Sequence, residues 1–187
     1  WATGRLAPTE PALFETRSGR LTATRNPDGT IVLDFPATPP RPTTAPVGLF
    51  RALGIEAGEV TTNGLAQPDL LIRIDDPAAV RSLRPALGAL MAVEARGVIV
   101  TAAGDRPGID FISRFFAPSM GVDEDPVTGS AHCTLAPYWG QRLGKTEMVG
   151  YQASRRGGTV GVRLVADRVH LSGQALTVVR GEVALPA

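Results

Sequence analysis

The sequence predicts an α+β fold in which a curved, mixed β-sheet wraps around one central α-helix. Three observations support this prediction. The 21 glycines and 16 prolines of the 187-residue chain lie between short apolar runs, which is typical of short strands joined by turns. Residues 130–143 form a helical stretch whose apolar side chains do not fall on one stripe, which indicates burial on most sides. Strand-like segments precede and follow this helix and can cover it.

The first part of the chain predicts an antiparallel meander over residues 12–36. Its strand-like runs are residues 12–16, 21–24 and 31–35. The stretch Asn26-Pro27-Asp28-Gly29 is a strong turn signal before the third run. Residues 36–46 contain five prolines, which lack a backbone donor and favour stiff, extended chain. This stretch is therefore predicted to be a linker.

Beyond the linker, short helices and strands alternate. Strands are predicted at residues 59–62, 70–74, 97–103 and 109–116. Helices are predicted at residues 46–54, from Pro77 after an N-cap at Asp76, and at residues 85–95. Residues 147–185 follow the central helix as strands joined by turns.

Composition and charge exclude several classes of protein. Nineteen basic and eighteen acidic residues leave a formal net charge of +1, so no strong field attracts nucleic acid or anionic lipid. No apolar run approaches the ~20 residues that a membrane-spanning helix needs. Cys133 is the only cysteine of the sequence. This count rules out an internal disulfide framework and a thiolate zinc cluster, and it favours a reducing, cytoplasmic setting.

The densest polar cluster of the sequence is residues 121–132. Three carboxylates precede a Thr-Gly-Ser turn at the start of the central helix, and the residues concerned are Asp123, Glu124, Asp125, Thr128, Gly129 and Ser130. The helix end offers free backbone N–H groups and the positive end of the dipole, which favour a substrate carboxylate or a developing enolate oxygen. An acid beside such a site can move a proton to or from carbon. We therefore predict an acid–base site without a metal.

Three other interpretations of the cluster remain open. In the first, Asp125 or Thr128 is a plain N-cap and the acids are solvated. In the second, Asp123 and Asp125 bind the metal of a hydrolase, although no further ligand is spaced to complete the site. In the third, Ser130, His132 and Asp125 form a hydrolase triad. Two helical steps turn by about 200°, which points Ser130 and His132 apart, and the G-x-S-x-G motif is absent from the sequence.

Several motifs of the chain carry a family resemblance. They are FETRSG at 14–19, DFISRFFAP at 110–118, EDPVTGSAH at 124–132, LAPYW at 135–139 and QASRRGG at 152–158. Together they resemble the phenazine-biosynthesis-type (PhzF-like) isomerase family over essentially the whole chain. The resemblance implies the diaminopimelate epimerase-like fold: two lobes, each a curved sheet around a central helix, with the active site in the cleft between them.

The resemblance also implies a function and assigns roles within the polar cluster. Members are isomerases or epimerases that need no cofactor, use acid–base chemistry and are usually homodimers. The chain would then act on a small carboxylate-bearing metabolite. Asp125 would be a proton-transferring or orienting acid, and Thr128, Gly129 and Ser130 would hold the anionic group of the substrate. Ser130 would also count among the catalytic residues. The alternative is a binding module of the same fold without turnover.

The chain departs from the family pattern in one respect. The main acid/base glutamate of the family and its G-H-A-T helix start lie upstream, and neither occurs here. We therefore expect residues 1–40, with a C-terminal strand at about 180–187, to be the remnant of a first lobe. Residues 41–179 would be the second lobe. We also expect a missing N-terminal segment of the same protein as a partner, and an inactive chain without it.

Other residues receive structural interpretations. Cys133 is expected to be a buried helix cysteine, and Tyr138 and Trp139 are expected to pack the central helix. His170 lies in an alternating strand and is expected on the solvent face. Arg114 is expected to pair with one of the acids of the polar cluster.

Overall fold

The computed structural model describes residues 1–16 and 19–182 of the chain. Within these ranges the strands are β1 (Ala12–Thr16), β2 (Gly19–Arg25), β3 (Ile31–Pro36), β4 (Arg41–Pro42), β5 (Glu59–Thr62), β6 (Asp69–Arg73), β7 (Gly97–Ala103), β8 (Phe111–Phe116), β9 (Glu147–Gln152), β10 (Gly158–Val165) and β11 (Arg168–Gly173). The α-helices are α1 (Leu49–Leu53), α2 (Pro77–Ser82), α3 (Leu87–Leu90) and α4 (Gly129–Leu143), and a short 3₁₀ turn covers Pro118–Met120.

The strands of the described part of the chain form one mixed sheet. Its order is β1-β2-β3-β11-β10-β9-β8-β7-β6-β5-β4. The pairs β6–β7 and β8–β9 are parallel, and the other neighbours are antiparallel. The meander predicted over residues 12–36 is present as β1, β2 and β3. Strand β3 pairs with β11, and Leu33 lies opposite Leu171, so the meander continues the same sheet.

The predicted central helix, α4, lies inside the curve of this sheet. Tyr138 donates from its hydroxyl to Glu59 of β5 (3.1 Å), and Trp139 Nε1 donates to Thr101 of β7 (3.0 Å). The same helix also contacts β9, β10 and β11. In a flat sheet β5 and β11 would lie about 29 Å apart, far more than the diameter of a helix. The sheet therefore wraps around α4, which confirms the predicted α+β fold.

A proline inside α4 connects the helix to the predicted linker. Pro137 has no N–H to donate to the carbonyl of Cys133, four residues earlier. That carbonyl instead accepts a hydrogen bond from the Thr38 N–H (3.0 Å). The hydroxyls of Thr38 and Thr134 add a second hydrogen bond of 2.8 Å. The proline-rich stretch after β3 is therefore fixed to the middle of α4.

The central part of the sheet is buried on both faces. Along β7, Val98 and Val100 pack with the helices α1, α2 and α3, whereas Ile99 packs with the apolar residues around α4. This alternation follows the two-residue period of a strand. Within α4 itself Leu135 and Ala136 are wholly buried. The burial of α4 on most sides matches the absence of a single apolar stripe in its sequence.

Several predicted element bounds differ from the structure. The helix predicted at residues 85–95 is reduced to α3, because the N–H groups of Ala92 and Val93 bond three rather than four residues back and so tighten the chain into turns. Of the strand predicted at about 180–187, residues 180–182 are not in a strand, and residues 183–187 lie outside the described residues. The division into two lobes near residue 40 stays a prediction. Within the described ranges, no helix is both long enough and apolar enough to cross a membrane.

Candidate active site

The predicted polar cluster lies in the loop between β8 and α4. Arg114 of β8 anchors this loop through two hydrogen bonds to the Glu124 carboxylate, from Nε (2.7 Å) and from Nη2 (2.9 Å). Its Nη1 donates to the carbonyl of Leu83, just after α2 (2.8 Å). The predicted pairing of Arg114 with an acid of the cluster is confirmed, and the acid is Glu124. Arg114 is buried, so this bidentate pair fixes the loop to the sheet.

Asp125 is held through both its backbone and its side chain. Its N–H donates to the Phe115 carbonyl of β8 (3.1 Å). Its Oδ2 accepts a hydrogen bond from the Thr128 hydroxyl (2.6 Å). The residue is half-buried. These contacts fix the orientation of the carboxylate close to the start of α4.

A buried amide, Gln152 at the end of β9, organises both residues. Gln152 is wholly buried. Its Oε1 accepts from the Thr128 N–H (2.8 Å), and its Nε2 donates to the Asp125 carbonyl (2.7 Å) and to the Thr128 hydroxyl (3.0 Å). Because that hydroxyl accepts from Gln152, its own hydrogen is directed to Asp125. We call Gln152, Thr128 and Asp125 the Gln152 network.

The first turn of α4 is open to solvent. Thr128 occupies the N-cap position, yet no described side chain makes a capping hydrogen bond there, because the Thr128 hydroxyl is engaged by Asp125. Gly129 and Ser130 are exposed. Thr128 is therefore the N-cap residue, as one alternative expects, but its side chain does not cap the helix. The uncapped amides and the helix dipole leave this end suited to an anion.

A residue outside the cluster reaches the same helix end. Arg96, immediately before β7, donates from Nη2 to the Ser130 hydroxyl (3.1 Å) and forms a salt bridge with Asp69 of β6. Asp69 is buried, and this burial raises the pKa of its carboxyl, although hydrogen bonding to Arg96 acts in the opposite direction. No local sequence pattern indicates a role for Arg96, Asp69 or Gln152. Each is brought to the site by strand pairing rather than by nearness in sequence.

His132 faces the interior beneath the first turn of α4. It is wholly buried, and its Nδ1 lies 2.8 Å from the Thr128 carbonyl. A carbonyl can only accept, so Nδ1 carries the hydrogen. Burial lowers the pKa of His132, because it disfavours the charged ring. Ser130 is exposed and bonds to Arg96 instead. The two side chains therefore point apart, as predicted, and they do not form a triad.

Cys133 and Trp139 are buried as expected. Cys133 is buried, and burial raises the pKa of its thiol to about 12, so it is not a reactive thiolate. Trp139 stacks on Phe111 in the core, with ring centroids 6.1 Å apart. His170 is partly exposed, and its Nδ1 lies 3.1 Å from an Arg163 guanidinium nitrogen. Across residues 1–16 and 19–182, no group of three His, Cys, Asp or Glu side chains could hold a metal.

Comparison with known proteins places this geometry in a family. The sequence model of the family described as "Phenazine biosynthesis-like protein" matches residues 2–181. The chain is 44% identical, over 99% of its length and 69% of the relative, to "Uncharacterized isomerase BH0283" of Halalkalibacterium halodurans. It is 48% identical, over 95% of its length and 66% of the relative, to "Uncharacterized isomerase PA3578" of Pseudomonas aeruginosa. The chain thus spans about two thirds of the length of these relatives.

Solved structures agree with the sequence comparisons. A crystal structure of a phenazine biosynthesis protein of the PhzF family from Enterococcus faecalis superposes with a TM-score of 0.86 at 36% identity, covering 98% of this chain and 68% of that one. A PhzF-family structure from Bacillus anthracis shares the fold with a TM-score of 0.75 at 18% identity, covering 98% of this chain and 72% of that one. The chain therefore belongs to the phenazine biosynthesis-like (PhzF) family.

Proposed function

We propose that this chain carries one half of the active site of a cofactor-independent isomerase or epimerase. The substrate would be a small metabolite that bears a carboxylate. One observation carries the proposal: the Asp125 carboxylate is fixed by Thr128 directly before the open, uncapped first turn of α4. The two bacterial relatives are named as uncharacterized isomerases, and these names support the reaction class.

The proposed chemistry is the relocation of one proton. The amides at the start of α4 and the Ser130 hydroxyl bind the carboxylate of the substrate and stabilise the negative charge that grows on it. A C–H bond next to this acidifying group breaks, its proton passes to Asp125, and its electron pair enters the enolate. The proton then returns to another carbon, or to the opposite face of the same carbon. No oxidant or reductant is needed.

Asp125 alone does not complete an inversion or a shift between distant carbons. Such a step needs a second acid or base on the other side of the substrate. We propose, from the family resemblance, that this group comes from a further segment of the same protein. The family resemblance also supports a homodimer. The chain by itself would then be inactive in the complete isomerisation, but Asp125 alone would still exchange a substrate proton with solvent, more slowly than a longer relative.

Deuterium exchange tests the proposal. Small 2-substituted and unsaturated carboxylic acids are incubated in D2O with the chain and, as a positive control, with the longer Pseudomonas aeruginosa relative, and carbon-bound deuterium is measured by NMR. We expect uptake to be catalysed by the relative, to be slower with the chain, and to be lost in the Asp125→Asn variant of the chain. Removing a positioned acid or base typically costs about 10²–10⁴ in rate.

Asp123→Asn is the matched control, because Asp123 is an exposed acid two residues away. We expect it to leave exchange unchanged. Absence of exchange from every substrate, together with unchanged ligand binding in Asp125→Asn, would defeat the proposal. Ligand binding without any exchange would instead favour the binding module of the same fold.

A further inference from the structure

The positively charged side chain of Arg96 lies beside the open end of α4. Arg96 donates to the Ser130 hydroxyl over 3.1 Å, and its guanidinium lies 5.7 Å from the centroid of the Phe115 ring. This arrangement adds positive charge to the positive end of a helix dipole, which is unfavourable unless an anion is close. A guanidinium in this position therefore requires an electrostatic explanation.

Asp69 provides only part of that explanation. The Asp69 side chain is 0% exposed, whereas Arg96 is 29% exposed, so Arg96 extends from a buried acid to the surface beside Ser130. Within the described part of the chain, Asp69 Oδ1 is buried without a partner. Its Oδ2 accepts from Asn63 (3.4 Å) as well as from Arg96. Asp69 thus fixes Arg96 from the inner side and leaves the outer side of the guanidinium uncovered.

Arg96 keeps donors available for a ligand. Both of its side-chain hydrogen bonds within residues 1–16 and 19–182 use Nη2, which leaves the Nε and Nη1 donors. These two donors lie on different edges of the planar guanidinium, so each can donate one charge-assisted hydrogen bond to a carboxylate oxygen. Ser130 accepts from Arg96, so the Ser130 hydroxyl hydrogen is also free to donate.

We propose that Arg96 is a substrate-binding residue, and that it holds the carboxylate of the ligand against Ser130 and the first turn of α4. This inference rests on the proposed function, because it names the group that binds the same anion. The charged Arg96 guanidinium would favour carboxylates over uncharged analogues of the same shape. Asp69 is the positioning residue that keeps Arg96 in place.

The test measures binding of two probes of the same shape, benzoate and benzamide, to the purified chain by isothermal titration calorimetry. We expect benzoate to bind at least about tenfold more tightly than benzamide, because only benzoate pairs with the charged guanidinium. Arg96→Gln alone would leave Asp69 buried without its partner and could unfold the chain. The informative comparison is therefore between Asp69→Asn and the double variant Asp69→Asn/Arg96→Gln.

Asp69→Asn keeps Arg96 and still offers it an amide oxygen as acceptor, so Arg96 stays in position and benzoate binding is expected to be retained. The double variant replaces the buried ion pair with two amides and is expected to lose at least about tenfold in benzoate affinity. Arg51→Gln, which changes an exposed arginine of α1, is the control for net charge and should bind benzoate normally. Equal affinity in the two Asp69 variants, an equal loss in Arg51→Gln, or no preference for benzoate in the native chain would each overturn the inference.

The outcomes separate this inference from the proposed function. Deuterium exchange that depends on Asp125, combined with benzoate binding that does not depend on Arg96, would overturn the inference and leave the proposed function standing. Benzoate binding that depends on Arg96, without exchange on any substrate, would support the inference and contradict the isomerase.

Discussion

At the scale of single residues, the orientation of Asp125 is decided by a buried amide from a distant strand. Gln152 Nε2 can only donate, so the Thr128 hydroxyl must accept from it and must direct its own hydrogen to Asp125. A wholly buried Gln152 with three hydrogen bonds has little freedom to rearrange. The Gln152 network therefore holds the proposed acid in one conformation before any ligand arrives, which is what preorganised proton transfer requires.

His132, under the same helix turn, makes stability depend on pH. Burial lowers its pKa in the folded chain below the ordinary value of 6.5. Below about pH 6.5 the unfolded chain takes up a proton that the folded chain does not, so acid favours unfolding. We expect the free energy of unfolding to fall as the pH is lowered from about 6.5 to about 5.5, by at most about 1 kcal/mol from this one group. Urea titrations across this range measure it.

The chain contains two histidines, which provides a matched control. His170→Gln is expected to leave this slope in place, whereas His132→Gln should remove most of it. A flat stability profile in the native chain, or a slope that disappears in His170→Gln, would show that His132 is not the group responsible.

Sequence reasoning finds some residues of this site and misses others for a physical reason. Asp125 and Ser130 lie five positions apart at a helix start, so local chemistry is enough to identify them. Gln152, Asp69 and Arg96 are 22 or more positions from Ser130 in the sequence. The pairing of β6 with β7, of β7 with β8 and of β8 with β9 brings them together. The pairing of strands that are far apart in the sequence cannot be derived from the local pattern of residues.

At the scale of elements, α4 combines a helix with an interior proline and a tether. The missing N–H of Pro137 frees the Cys133 carbonyl, and Thr38 uses that carbonyl and the Thr134 hydroxyl. The prolines of residues 36–46 predicted an extended linker, and their spacing contained no signal that Thr38 would contact the helix. The Cys133 carbonyl that Pro137 leaves without a helical donor thus becomes the point where the stretch after β3 is attached to α4.

The tether is tested by a double-mutant cycle on its two hydroxyls. Thr38→Val and Thr134→Val each remove one partner of the 2.8 Å hydrogen bond. We expect each to lower the free energy of unfolding by about 1 kcal/mol, because the remaining hydroxyl loses its partner. The double variant should cost less than the sum of the two, with a coupling of at least about 0.5 kcal/mol. Urea denaturation of the four proteins measures the coupling.

Thr44→Val is the control, since Thr44 is an exposed threonine of the same proline-rich stretch. It should show no coupling to Thr134→Val. Strict additivity of Thr38→Val and Thr134→Val would mean that the hydroxyl contact does not stabilise the tether.

At the scale of the whole molecule, one sheet changes from a buried centre to an exposed margin. Strands β7 and β8 are buried along almost their entire length, whereas β1 is almost wholly exposed. Leu13 and Phe14 of β1 are 57% and 53% exposed. Among the described strands β1 pairs only with β2, so it also presents an open sheet edge. Exposed apolar side chains on such an edge favour association with another chain or segment.

This margin predicts self-association that can be removed by substitution. We expect the native chain to show concentration-dependent association in analytical ultracentrifugation, and the Leu13→Lys/Phe14→Lys variant to show much less, because charge on an edge strand opposes pairing. The free energy of unfolding should change by less than about 1 kcal/mol, since both side chains are largely exposed. Val47→Lys replaces a fully exposed apolar residue (101%) away from this edge and should leave association unchanged. A native chain that stays monomeric, or an equal effect of Val47→Lys, would show that β1 is not an association surface.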